Sequence, residues 1–184
     1  MTHIYSSGDL ENAKNQKKKC LIFFFVMTAV YVLVAAGIFI YFLFEPYGSK
    51  KETWLLVSEC VISAIYAVFA YIFMTIRFSR VRNYCILLGR ALTRKPTAGT
   101  ATFMHFNSDI TTKDKCDFKS MTLVEWSDKE KDYMERYILI DPEKPRPDFR
   151  AGDELSFETY SNVLVSYTIN NRTDLVGTPF GDNA

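Results

Sequence analysis

The chain has 184 residues, 22 Lys and Arg against 21 Asp and Glu, and a hydrophobic share of 48%, a size that allows one ordinary domain and something beyond it. Four scattered cysteines (Cys20, Cys60, Cys85, Cys116) and two histidines (His3, His105) exclude a closely spaced zinc site or a CxxC redox motif and leave too few imidazoles for a His-based centre. Neither a metal nor a cofactor is expected, and a lone Cys in the polar half fits a reducing compartment.

Composition divides the chain near Arg94 to Pro96, apolar before and polar after. Residues 1–20 form a basic N-terminal segment with Lys14, Lys17, Lys18 and Lys19. Leu21 to Phe44 is uncharged and apolar over 24 residues, against the roughly 20 that cross a hydrocarbon core as a helix. A signal peptide has a shorter apolar core and a small-residue cleavage site, neither of which precedes Glu45. A connector at 45–53, with Pro46 and Gly48 as turn formers, leads to a second apolar run at 54–76. The two runs predict a transmembrane helical hairpin, with Tyr41, Tyr47 and Trp54 as aromatic anchors at its outer interface.

Lys and Arg set the expected orientation. Basic residues crowd the segment before the first helix and the segment 77–95 after the second, whereas the connector has only Lys50 and Lys51 beside Glu45 and Glu52. The positive-inside tendency therefore puts both termini in the cytoplasm and makes the chain a multi-pass protein of the cell membrane. Glu59 is an ionisable residue inside a spanning segment. At about one and a half turns from Trp54 it is within reach of the outer headgroups, so hydration or a helix-to-helix hydrogen bond is expected, with an ion or proton pathway as the alternative. Ala35, Ala36 and Gly37 with Ser63, Ala64 and Ala67 supply small residues for close packing, within one hairpin or between copies.

Residues 77–95 contain six basic residues and no acidic one. They read as a juxtamembrane helix, and Lys17, Lys18, Lys19, Arg77, Arg80, Arg82 and Arg90 as a basic membrane-surface set drawn to anionic lipid. From residue 96 onward 10 Lys and Arg face 16 Asp and Glu, a balance that repels a phosphate backbone, so nucleic acid is not an expected partner.

Period-two alternation predicts strands at 100–106, 120–126, 133–140, 154–160 and 163–169. The polar run 127–132 reads as a hairpin turn, and Asp141 to Arg150, with three prolines, as a surface excursion. Residues 96–170 are thus expected to form a small all-β domain, a partly open antiparallel barrel of OB or SH3 type, with 171–184 as a flexible tail. The core expected from the apolar positions is Phe103, Met121, Leu123, Tyr137, Leu139, Leu155, Phe157, Val163 and Val165.

A helical hairpin followed by a small β-barrel, with the turn Phe149-Arg-Ala-Gly-Asp-Glu-Leu155 before a strand and a final apolar strand, resembles bacterial membrane-anchored barrel proteins of the NfeD-like kind. The likeness implies a barrel that binds protein partners at the membrane without catalysis, and it carries over no functional residue.

No phosphate-cradling GxxxxGK[ST], GxGxxG or GxSxG run occurs. Glu125, Asp128, Asp132, Glu135 and Asp153 have no adjacent base and read as a solvated face. His105 reads as an ordinary strand residue, and Cys116, between lysines and aspartates, as an unreactive thiol. The sequon at Asn171 would be idle in the cytoplasm. The expected role is non-enzymatic presentation of the β domain to a protein partner or to further copies of the chain, with the lipid bilayer as the other partner. The alternative is a small oligomeric transporter or channel subunit lined by Glu59.

Overall fold

The computed structural model describes residues 1–46, 48, 50–127 and 129–173, so most of the expected tail, from 174 onward, lies outside the described residues. Two compact units result: residues 10–85, and residues 1–9 together with 86 onward.

In the first unit, α1 (Ser7–Phe44) begins well before the apolar run. Its start is a capping box: the Ser6 N–H donates to Asp9 Oδ2 at 2.8 Å and the Asp9 N–H to Ser6 Oγ at 3.3 Å, satisfying two groups at the helix start that would otherwise lack partners. Pro46 excludes helix from the residue before it, so α1 stops at Phe44. Gly48, at φ +78°, reverses the chain and gives its N–H to the Glu52 carboxylate at 2.6 Å. The expected connector 45–53 thereby shortens to 45–49, because α2 (Lys50–Ile72) starts with its charged turn. A π-helical segment, Phe73–Phe78, continues into α3 (Ser79–Thr93). Both long helices are long and apolar enough to cross a membrane.

Half-buried positions of the hairpin recur at alternating steps of three and four: Leu21, Phe24, Thr28, Tyr31, Ala35 and Ile38 in α1; Leu55, Glu59, Ile62, Tyr66 and Phe69 in α2, continued by Phe73 of the π-helical segment. This 3.5-residue period keeps one stripe of each helix against the other. Tyr31 and Tyr66 stack at 4.1 Å, and Phe73 lies against Phe23, Phe24 and Phe69. Thr28 Oγ1 bonds Tyr66 Oη at 2.7 Å and Tyr31 Oη bonds Ser63 Oγ at 2.9 Å. Many other apolar side chains are exposed, Leu33, Phe44, Trp54 and Tyr71 among the most.

In the second unit five strands close into a barrel: β2 (Thr97–Lys113), β3 (Cys116–Ser127), β4 (Asp132–Ile140), β5 (Glu154–Tyr160) and β6 (Val163–Asn171), in the ring order β6-β4-β3-β2-β5-β6. β2 serves two neighbours, β5 through Thr97–Thr102 and β3 through Thr102–Lys113. Two register shifts, between Phe103 and His105 and between Phe106 and Ile110, bend it around the corner, as bulges do. The hairpins β2–β3 and β5–β6 turn on two residues each, Asp114-Lys115 and Ser161-Asn162, all at positive φ, the twist that suits paired strands.

The barrel is closed rather than partly open. The closing contact is one parallel bridge, Leu139 with Val163, beside a 2.7 Å bond from the Leu139 N–H to the Asn162 carbonyl. No hairpin joins these strands, so periodicity could not reveal it. A short strand β1 (Thr2–His3), inside the segment read only as basic, pairs with β6, and the Ile4 N–H reaches the Val165 carbonyl at 2.9 Å.

The interior holds Ala101, Phe103, Met121, Leu123, Ile138, Ile140, Phe149, Leu155, Phe157 and Leu164. Tyr137, expected there, is 56% exposed on the outer face, and Leu139, Val163 and Val165 are buried outside this cluster. On the same outer side Phe118 is buried, and α3 contributes buried Leu87, Leu88 and Ala91. The Pro-rich excursion turns inward at Pro147 and Phe149. Gly99 is required where it stands: a Cβ there would meet the Phe157 ring at 2.9 Å.

Candidate functional site

At one mouth of the barrel the β2 irregularity and the Pro-rich loop enclose a cleft of about 380 Å³. Its floor is Phe106 and Ile140, and its walls are Asn107 and Ser108 of β2, Lys119 of β3, and Asp141, Pro142, Lys144 and Arg146 of the loop. Between Phe106 and Ile110 the register with β3 slips, which frees Asn107 to donate to Ser120 Oγ at 2.9 Å and Thr122 Oγ1 at 3.3 Å. Beneath the cleft Phe149 packs on Phe103 at 5.5 Å, parallel to Phe106 at 6.0 Å, and edge-on to Tyr167 at 4.8 Å.

The loop is held at both ends by carboxylates. Asp141 Oδ1 accepts the Glu143 N–H at 2.9 Å. Asp153, fully buried, accepts the Arg150 N–H at 2.9 Å and the Thr173 N–H at 3.1 Å, which makes it a structural anchor rather than part of the solvated face expected of it. Gly152, at φ +92°, allows the turn, and a Cβ there would sit 2.8 Å from Thr173 Oγ1. The N-terminal segment is pinned alongside: Lys144 Nζ pairs with Asp9 Oδ1 at 2.6 Å, and that bond, with the Ser6 N–H, holds the Asp9 carboxyl below the usual carboxylate range. Burial, and then the nearby Asp141 charge, pushes the Tyr5 phenol far up; its hydroxyl lies short of hydrogen-bonding geometry with any described group.

At the other end of the sheet the β3–β4 hairpin carries Trp126 and Tyr133, edge to face at 5.0 Å and 50% and 68% exposed. Tyr137 follows on the same face, its hydroxyl on Glu135 at 2.9 Å, which raises the phenol. On the inner face Arg136 pairs with Glu125 at 2.8 Å and lies over the Phe157 ring. Beyond β3, β4 bonds only at Leu139, so among the described residues its edge from Asp132 to Ile138 has no partner strand.

The basic set occupies helix surfaces. Lys18, Lys19, Arg77, Arg80, Arg82 and Arg90 are exposed and Lys17 is half-buried. Glu59 sits in the hairpin seam facing Ile38, Phe39, Phe42, Leu55 and Leu56, with Oε2 enclosed and without a hydrogen-bond partner among the described residues. Of the small residues only Ala35 and Ser63 lie in the seam; Ala36, Gly37, Ala64 and Ala67 face outward. Cys116 is buried at the start of β3 and His105 is exposed. Among the described residues no three His, Cys, Asp or Glu side chains converge on a metal position. Lys119 and Arg146, which line the cleft, carry no sequence signal beyond their charge. No protein-family model, curated protein or solved structure matches the chain.

Proposed function

We propose that this chain is a two-helix membrane protein, both termini cytoplasmic, whose β-barrel is a non-enzymatic binding module for an extended segment of a protein partner. Membrane residence is supported by the outward-facing Phe, Leu, Ile and Val of both helices: lipid accommodates such a surface, whereas water penalises it by about 25 cal/mol per Å². The cytoplasmic placement rests on the Lys and Arg bias. The pairing of β1 with β6 supports an even number of crossings between them. The NfeD-like likeness agrees with this reading in architecture alone.

The observation that carries the binding role is the β4 edge. A row of strand N–H and C=O groups without a neighbour, flanked by Trp126, Tyr133 and Tyr137, is the surface on which an added strand gains main-chain bonds and aromatic contacts. A photoreactive residue at Tyr133 of the full chain in its native membrane is expected to crosslink specific proteins, and Trp126→Ala should reduce those adducts severalfold. Adducts only with other copies of the chain would assign the edge to self-assembly, and adducts with no protein at all would refute the reading.

Glu59 favours a second reading, a small oligomeric transporter or channel subunit. A carboxyl oxygen enclosed among apolar side chains, without a hydrogen-bond partner among the described residues, is the kind of group that marks ion pathways. In the module reading Glu59→Gln leaves insertion, assembly and membrane conductance unchanged. Loss of ion flux in that variant, at normal expression, would put the transporter reading first.

A further inference from the structure

The cleft at the barrel mouth has more cationic donors than acids to match them. Lys119 stands on the interior face of β3, opposite Ile140. Arg146 lies over Phe106, its guanidinium carbon 3.8 Å from the ring centroid. Among the described residues neither makes an ion pair. Lys144 is matched by Asp9 at 2.6 Å, and Asn107 directs its amide at Ser120 and Thr122. The one carboxylate in the wall, Asp141, is 3% exposed and already accepts the Glu143 N–H. This local positive excess lies in a domain that is acidic as a whole, with 10 basic and 16 acidic residues from position 96 onward.

We infer that the cleft binds a phosphate monoester on a small carbon skeleton. Two cations without ion-pair partners match the charge of a monoester, about −2 at neutral pH, better than that of a single carboxylate. A guanidinium held against an aromatic ring offers its planar fork to two oxygens at once, while Lys119, lining the same cleft, adds a point charge. The volume of about 380 Å³ exceeds the needs of a bare anion and falls within the range of small-molecule sites. Phe106, Ile140 and Pro142 offer the carbon skeleton an apolar floor. The inference stands on this cleft and does not depend on the reading of the β4 edge.

The same group could come from a soluble metabolite or from the head of a monoester lipid such as phosphatidic acid, and the test separates them. The full chain in phosphatidylcholine nanodiscs is titrated with glycerol 1-phosphate by calorimetry, with glycerol as the uncharged control. Saturable binding of the phosphate alone is expected. Lys119→Gln and Arg146→Gln should each weaken it about tenfold, as loss of a charged hydrogen bond does. Arg146→Lys should keep part of the affinity, and Lys129→Gln, in the β3–β4 turn, all of it. Adding phosphatidic acid to the nanodiscs will depress the apparent affinity if the lipid head is the occupant and leave it unchanged if the occupant is soluble. Failure to saturate, or equal binding by the Lys119→Gln/Arg146→Gln double variant with an unchanged unfolding midpoint, would overturn the inference.

Discussion

Asp153→Ala is expected to lower the stability of the barrel by about 2–6 kcal/mol, since it strands two backbone N–H groups at roughly 1–3 kcal/mol apiece. The carboxylate is fully buried and holds the Arg150 and Thr173 N–H groups, so it fixes the end of the Pro-rich loop to the end of β6. The backbone on either side depends on the same turn: the Phe103 N–H donates to the Asp153 carbonyl at 2.8 Å and the Gly152 N–H to the Phe103 carbonyl at 2.8 Å. Asp153→Asn keeps one acceptor oxygen and should cost clearly less. Chemical unfolding of the full chain, followed by the β-sheet circular dichroism signal, measures the difference. An Asp153→Ala midpoint equal to that of the parent would return this carboxylate to the list of functional candidates.

Phe149→Ala should cost about 3–5 kcal/mol, the usual range for removing a buried phenyl ring. Phe149 is the meeting point of Phe103, Phe106 and Tyr167, so its removal takes away ring contacts with all three. A domain of this size has only about 5–15 kcal/mol in hand, so the variant should unfold at a much lower denaturant concentration. Phe149→Leu, which keeps much of the apolar volume, should retain most of the stability. If both variants unfold with the parent, the loop does not plug the barrel.

Alternation located all five barrel strands, because each has one face in the core, yet it lost the second half of β2. The strand expected at 100–106 does not stop there: it absorbs Asn107, Ser108 and Asp109 in a register shift and runs on to Lys113. The turn at Asp114-Lys115 has no glycine and so lacks the usual signature of a two-residue hairpin. Three prolines correctly exclude a strand from 141–150, but they do not say that Phe149, between Asp148 and Arg150, points inward. Two further features are legible in the sequence. Ser6 and Asp9 spell a capping box, and the 3.5-residue spacing of Leu55, Glu59, Ile62 and Tyr66 marks the seam in which Glu59 lies. The cleft was not legible at all, since Lys119 and Arg146 are 27 residues apart and meet only because the loop folds back over β2.

The strand at the N-terminus has a consequence for synthesis. Thr2 pairs with Tyr167, so β1 finds its partner only after both long helices and the four strands β2 to β5 have been made. Contacts of such sequence separation form slowly, and until β6 emerges the nascent barrel presents β5 without its hairpin partner. The two long helices, encoded between β1 and the rest of the barrel, are therefore made before the sheet can close, and a ribosome stalled before residue 163 would leave a chain without the strand that closes it.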